Sequence, residues 1–240
     1  YLASARRLRR ARNHVEALDG LLVEHFAKYA TRVCLAAAAV AKRSANPSVA
    51  EARELAERIN IHQRPYVLST HIDSTGSAVR QTFSFSNRDY ARQLGVADYL
   101  HSIGSAAFND YNLPRSGGQD AAIQSICRSF IGGKDYAFAA DLRQAYSSVG
   151  PQHLEGLVYS PEWMTENILF PRLTEAFHLH PTAPCGLPQG SACSGAALSM
   201  VLGRVLRLMA EAGWEVSHYV DDVWANARSL PELEQLQSRL

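Results

Sequence analysis

The stretch Trp214-Glu215-Val216-Ser217-His218-Tyr219-Val220-Asp221-Asp222-Val223-Trp224-Ala225 sets two adjacent carboxylates between two runs of strand character. It predicts two short strands meeting at a tight turn with the Asp pair at the tip. Side chains alternate along a strand, but a turn holds neighbours close together. Adjacent acids repel one another unless solvent or a cation screens them, so a hard divalent metal is their natural counterpart. An Asp-Asp pair is also common in ordinary solvated turns. The rest of the chain has to decide between the two.

Upstream, Tyr136-Ala137-Phe138-Ala139-Ala140 is a short, mostly apolar run that ends in Asp141. It predicts a buried strand delivering a carboxylate at its C-terminal end, a common way to build a metal site. The plainer alternative for Asp141 is an N-cap of the following segment. If this strand lies beside the hairpin, Asp141, Asp221 and Asp222 converge. Three carboxylates can hold two Mg²⁺ ions about 3.5–4 Å apart, the separation used for in-line phosphoryl displacement.

A third element, Cys185-Gly186-Leu187-Pro188-Gln189-Gly190-Ser191-Ala192-Cys193-Ser194-Gly195, precedes an apolar helical stretch from Ala196 to Met209. Gly186 and Gly190 permit close backbone approach, and Pro188 restricts the turn. Small residues from 190 to 195 leave room for a flat ligand such as a base pair, and Gln189 offers both a donor and an acceptor. The same composition suits an ordinary loop and helix start. It is neither a Walker A loop nor a dinucleotide fingerprint.

In this order the three segments resemble the motifs of reverse transcriptases. Phe138 to Val149, with Asp141 and Tyr146, is similar to motif A. Leu187-Pro188-Gln189-Gly190 is similar to motif B, and Tyr219-Val220-Asp221-Asp222 to motif C. The clear part of the resemblance covers about residues 64–240. It implies that Asp141 and Asp221 are the main metal ligands, with help from the Leu142 carbonyl, and that Asp222 is a weaker ligand or electrostatic partner. It implies two Mg²⁺ ions, with Mn²⁺ as a substitute. One would lower the pKa of a 3′-hydroxyl and the other would hold the triphosphate. Tyr146 falls at the position of the family's steric gate, which favours dNTPs over NTPs; otherwise it is a core aromatic. Gln189 and Gly190 would lie against the incoming nucleotide, and Tyr219 and Val220 near the primer end.

Pro65 to Phe85 reads as two strands around an Asp73-Ser74-Thr75-Gly76-Ser77 turn. In the family such a hairpin presents basic residues to the triphosphate. Arg80 fits the arginine, whereas no lysine lies between residues 44 and 133. Arg64 and Arg88 are the substitutes, and a plain surface arginine is the alternative for each.

The composition is that of a soluble globular protein with a core for one or two domains. The net charge of +1 argues against binding nucleic acid by bulk electrostatics alone. Arg6, Arg7, Arg9, Arg10 and Arg12 form a basic cluster that suits either phosphates or a solvated helix face. Residues 4–60 read as helices, and the alanine-rich Cys34–Ala41 is too short to span a bilayer. The four cysteines, Cys34, Cys127, Cys185 and Cys193, form no C-x-x-C pair and suit free thiols in a reducing cytoplasm. Residues 161–178 suggest one helix, and Ser229–Leu240 another, capped by Ser229 or a residue near it.

The expected fold is α+β, a right-hand polymerase with an antiparallel palm sheet and flanking helices. Its parts would be a helical N-terminal region (1–62), fingers (63–134 and 151–185) and palm (135–150 and 186–240), with no thumb in this chain. The implied activity is RNA-directed DNA synthesis on an RNA template, from a DNA, RNA or protein primer, in the cytoplasm and away from membranes, with oligomers left open. Ser194-Gly195 stands where group II intron and retron enzymes carry Ser-Pro, and the Asn-Ala-x-x-His signature of retron enzymes is not found. The resemblance therefore leans to stand-alone abortive-infection or phage-defence enzymes. An untemplated or protein-primed DNA polymerase, a retroelement enzyme and a non-catalytic scaffold of the same fold are the alternatives.

Overall fold

The computed structural model describes residues 6–8, 10, 15–65, 67–75, 78–103, 110–112, 117–171 and 186–238. The fold is mixed α+β with two small antiparallel sheets. The chain divides into two compact units, residues 1–103 with 146–197 and residues 104–145 with 198–240. No helix among the described residues is long and apolar enough to cross a membrane.

The first unit opens with helices α1 (Val15–Ala27), α2 (Tyr29–Arg43) and α3 (Val49–Arg58). In α2, Thr31, Leu35, Ala36, Ala39 and Val40 repeat at helical spacing and are the buried set. Ser48 caps α3 by accepting from the Glu51 N–H at 3.1 Å. Strands β1 (Val67–Thr75) and β2 (Ala78–Phe85) form the expected hairpin, but Asp73, Ser74 and Thr75, expected in its turn, extend β1 instead and pair with Arg80, Val79 and Ala78; residues 76–77 lie outside the described residues. Helix α4 (Asn87–Ile103) runs through the core of this unit. Gly95 lets it approach closely, since a Cβ there would press on the Phe26 ring at 2.6 Å and on Leu35 at 2.9 Å.

Arg92 of α4 is 1% exposed. A buried guanidinium costs several kcal/mol unless its donors are met. It donates to the carbonyls of Asn60 at 2.7 Å, Asn167 at 3.1 Å, and Gln63, and pairs with Asp89. This ties α4 to the loop after α3 and to the segment near Asn167. The helix expected over 161–178 is only a short α turn, Glu162–Met164, followed by a π turn, Thr165–Leu169. Phe170 leaves helical geometry ahead of Pro171, whose ring disfavours a helical residue before it. The remainder of that expected helix, 172–178, lies outside the described residues.

In the second unit the strand order is β3-β5-β4, with β3 Tyr136–Asp141, β4 Glu215–Tyr219 and β5 Asp222–Ala227. Helix α5 (Gly118–Ile131) precedes β3. The chain passes from β3 into the first unit through a short turn, α6 (Ala145–Ser148), and after α7 (Glu162–Met164) it returns along the long α8 (Ser194–Glu211), whose part from Leu198 belongs to the second unit and leads into β4. The core brings Leu206 and Met209 of α8 onto Val216, Val223 and Ala225 of the sheet and Leu236 of α9 (Leu230–Gln237). Ser229 caps α9 as expected, accepting from the Glu232 N–H at 3.4 Å. A further expectation is corrected. β3 is an edge strand and mostly exposed, with Tyr136 42% accessible, rather than a buried strand. Among the described residues it has one neighbour, and its alanines are too small to cover a sheet face; only Phe138 and Ala140 of the strand are half-buried.

His25 of α1 is 2% exposed, and burial above all, with nearby positive charges including that of Lys28, depresses its pKa to about 4. The folded state holds this ring neutral while the unfolded state takes up a proton near 6.5. The contribution is therefore complete above pH 6.5 and lost as pH falls from 6.5 toward 4. Urea unfolding at pH 7.5 and 4.5 should show wild type losing roughly 2–3 kcal/mol more than His25→Leu over that interval.

Candidate functional site

Of the three carboxylates singled out in the sequence, two are paired on the sheet of the second unit, and Asp221 lies in the adjoining turn. Asp141, the last residue of β3, lies directly opposite Asp222, the first of β5, and Tyr219 of β4 lies on the other side of Asp222. Opposed residues of antiparallel strands carry their Cβ atoms about 4.5–5.5 Å apart on one face. Asp141 and Asp222 are both exposed. Asp141 is a strand terminus and not a helix cap.

Tyr219 pairs with Asp222, so Val220 and Asp221 form a two-residue hairpin turn. Val220 has φ +58°. The turns that match strand twist require positive φ at this first central position, and glycine, asparagine or aspartate usually supply it. A β-branched residue there stores about 1–3 kcal/mol of strain. The turn is tied to β3, because the Asp221 carbonyl accepts from the Leu142 N–H at 3.2 Å. The Leu142 carbonyl in turn accepts from the Ala145 N–H at 3.1 Å, which leaves one of its lone pairs open.

Among the described residues no three carboxylate, imidazole or thiol groups gather closely enough to hold one ion. The structure brings Asp141 and Asp222 face to face and sets Asp221 in the adjoining turn. This donor set fits Mg²⁺, which binds through one or two carboxylates and completes its shell with water and substrate phosphates.

In the first unit the glycine-rich turn is held at several points. The Leu187 N–H donates to the Tyr146 carbonyl at 2.9 Å, and a Cβ on Gly186 would run into the backbone of Ser147. The Phe83 N–H of β2 donates to the Gln189 carbonyl at 2.8 Å. Gly190 has φ +98°, and a Cβ there would strike the Phe83 carbonyl oxygen. Ser194 Oγ donates to the Pro188 carbonyl at 2.8 Å. Leu187 and Pro188 are buried, whereas the Gln189 side chain is half-exposed and Gly190 exposed. Cys193 is a small buried packing residue, as expected, and burial pushes its thiol pKa up to about 11; Cys185 lies outside the described residues.

Sequence reasoning missed Gln93 of α4, which is buried and accepts from the Ala192 N–H through Oε1 at 3.2 Å. The available signal was that Asp89, Arg92 and Gln93 share a helical face with Val96 and Leu100, which places polar groups inside a core. It also missed Asp110 and His218, a buried pair 3.3 Å apart.

Arg80 is placed in β2, but its side chain lies outside the described residues. Arg64 and Arg88 line an open cleft of about 670 Å³ floored by Leu55, Pro65 and Leu68. Arg88 pairs there with Asp89 at 3.2 Å.

Compared with known proteins, the chain matches no family model and no curated protein.

Two substitutions test this local geometry by urea and thermal unfolding. Gly190→Ala should destabilise by at least about 1–3 kcal/mol, because it adds both a clash with Phe83 and a strained φ. Val220→Gly should hold or raise Tm, since strain relief exceeds the roughly 0.5–1 kcal/mol that glycine costs in extended structure. A lower Tm for Val220→Gly would show that packing of the valine outweighs its strain.

Proposed function

We propose that this chain is a nucleotidyltransferase of the reverse-transcriptase type, adding dNTPs to a primer 3′-hydroxyl on an RNA template. The observation that supports it is the Asp141–Asp222 pairing with Asp221 in the adjoining turn. Two sequence segments, each resembling one polymerase motif, thereby present their acids on one face of one sheet. In this reading the β3-β5-β4 sheet belongs to the palm and the β1–β2 hairpin to the fingers.

The reaction forms a bond from the 3′-oxygen to the α-phosphorus and breaks the bridging bond to the β-phosphate. Pyrophosphate departs, and the hydroxyl proton passes to solvent. Bound Mg²⁺ would supply acidification of the 3′-hydroxyl and neutralisation of charge on the leaving group. Asp141, Asp222 and Asp221 would hold it, with the open lone pair of the Leu142 carbonyl available beside them. The chain's own work is to fix these oxygens in register and keep them open to substrate. Tyr146, whose carbonyl is anchored by Leu187, would exclude a ribose 2′-hydroxyl. Gln189 and Gly190 would form the surface against the incoming base pair, Arg80 would meet the triphosphate, and Tyr219 and Val220 would flank the primer end.

Primer extension on an RNA template with Mg²⁺ tests the proposal. Wild type should extend with dNTPs, while Asp141→Asn and Asp221→Asn/Asp222→Asn should each lose more than about a hundredfold, the scale of losing transition-state charge stabilisation. Extension with a product sequence independent of the template would replace this reading with an untemplated polymerase. Nucleic-acid binding without incorporation under Mg²⁺ or Mn²⁺ would replace it with a scaffold.

Tyr146→Ala should relax discrimination against NTPs by about 10–200-fold, the range for one steric contact, measured as the ratio of kcat/KM for dNTP and NTP. An unchanged ratio would remove Tyr146 from the gate and return it to the core.

A further inference from the structure

Behind the Val220 turn lies a buried polar pair that the polymerase reading leaves unused. His218 is 0% exposed and Asp110 is 3% exposed. His218 Nε2 stands 3.3 Å from Asp110 Oδ1, though off the line of a well-formed hydrogen bond. The other ring nitrogen, Nδ1, lies 3.4 Å from the carbonyl oxygen of Val220, the strained residue of the turn.

Asp110 is itself fixed. Its Oδ1 accepts from the Asn112 N–H at 2.9 Å, and the Asn112 amide donates to Ser199 Oγ at 3.0 Å. Residue 110 pairs in parallel with His218, and the Tyr111 N–H donates to the His218 carbonyl at 3.0 Å. The Tyr111 ring stacks on Trp224 at 5.8 Å, two residues beyond Asp222. The segment 110–112 thus grips the hairpin through backbone, ring and carboxylate at once.

The face on which His218 sits explains why this matters. His218 is opposite Val223 and in step with Val216, so it points to the side of the sheet that carries the apolar core. Asp141, Asp222 and Tyr219 fall on the alternate face. An apolar side chain would fill the position of His218 at lower desolvation cost. What the imidazole adds is two polar atoms, one directed at the Val220 carbonyl and one at Asp110.

We propose that His218, oriented by Asp110, is a positioning residue for Asp221 and Asp222. It braces the Val220 carbonyl from the core side, so that the strained turn presents both carboxylates in register with Asp141. The inference rests on the reading of these three acids as the polymerase site. Partners that orient metal ligands from behind typically change metal affinity or activity by about 10–100-fold when removed.

The test uses the whole chain with three variants. His218→Leu keeps the volume without the nitrogens, His218→Gln keeps a donor, and Asp110→Asn is isosteric. Mn²⁺ affinity is read by EPR titration, and kcat and KM for dNTP by primer extension. His218→Leu should lower Tm, because it leaves the Asp110 carboxylate buried without the ring beside it, so all readings are taken well below the Tm of the variant. Its kcat should fall about tenfold or more with KM within about twofold, and its Mn²⁺ affinity should weaken about tenfold. His218→Gln should recover most of both losses, and Asp110→Asn should fall between. Folded His218→Leu and Asp110→Asn with wild-type kcat and Mn²⁺ affinity would overturn the inference while the polymerase reading stands. A wild-type chain that neither binds Mn²⁺ nor extends a primer would overturn that reading and the inference together.

Discussion

The register of β3 on β5 is the constraint on which the candidate site depends. Side chains alternate with a period of two, so a slip of one residue would turn Asp141 away from Asp222 and send it to the core face. Several features hold the register. Phe138, Ala225 and Val216 form one cross-strand row packed against Leu206, Met209 and Leu236. The Leu142 N–H closes the ladder on the Asp221 carbonyl just past the paired acids. The two-residue turn fixes β4 against β5 from the other side. Apolar burial on one face thereby sets the spacing of charges on the other.

That spacing is unfavourable when the site is empty of cations. Like charges directly opposite one another on a sheet destabilise it by a few tenths to about 1 kcal/mol, and Val220 adds backbone strain of about 1–3 kcal/mol. Both are tolerated because β5 is buried along nearly its whole length and carries the core contacts. In the proposed reading, strain at a β-branched turn residue beside opposed acids would serve a ligand site rather than stability. The exposed edge strand fits the same purpose. Asp141 at the end of β3 stays open to solvent, where a buried central strand would have closed it off.

Much of this was legible in the sequence because it is local. The Asp pair between two strand-like runs gives the hairpin, the apolar run ending at Asp141 gives β3, and Ser229 three residues before Glu232 gives a helix start. What sequence did not reveal depends on neighbours distant in the chain. The exposure of β3 follows from strand order, which an apolar run does not encode. The break in the helix after Glu162 follows from Pro171 and the π turn before it. Gln93 and Asp110 are ordinary polar residues until Ala192 and His218 come to meet them. Arg92 is the same case: its two terminal nitrogens donate to carbonyls of the loop after α3 and of the π turn, far from it in sequence.

The openness of the acid site also follows from the chemistry of the ion it would take. A cage of three or more protein ligands suits a structural zinc or a calcium loop, where the protein supplies most of the shell. Mg²⁺ gives up water reluctantly and in phosphoryl transfer shares its ligands between one or two carboxylates and the substrate phosphates. Two opposed carboxylates, with a third in the adjoining turn and a carbonyl lone pair close by in sequence, leave the rest of the shell to the nucleotide. Affinity for the ion would then be low without nucleotide and would rise with it. Binding and catalysis would be coupled through ligands that only the substrate completes, and the hydrogen-bonded turn would contribute alignment rather than grip.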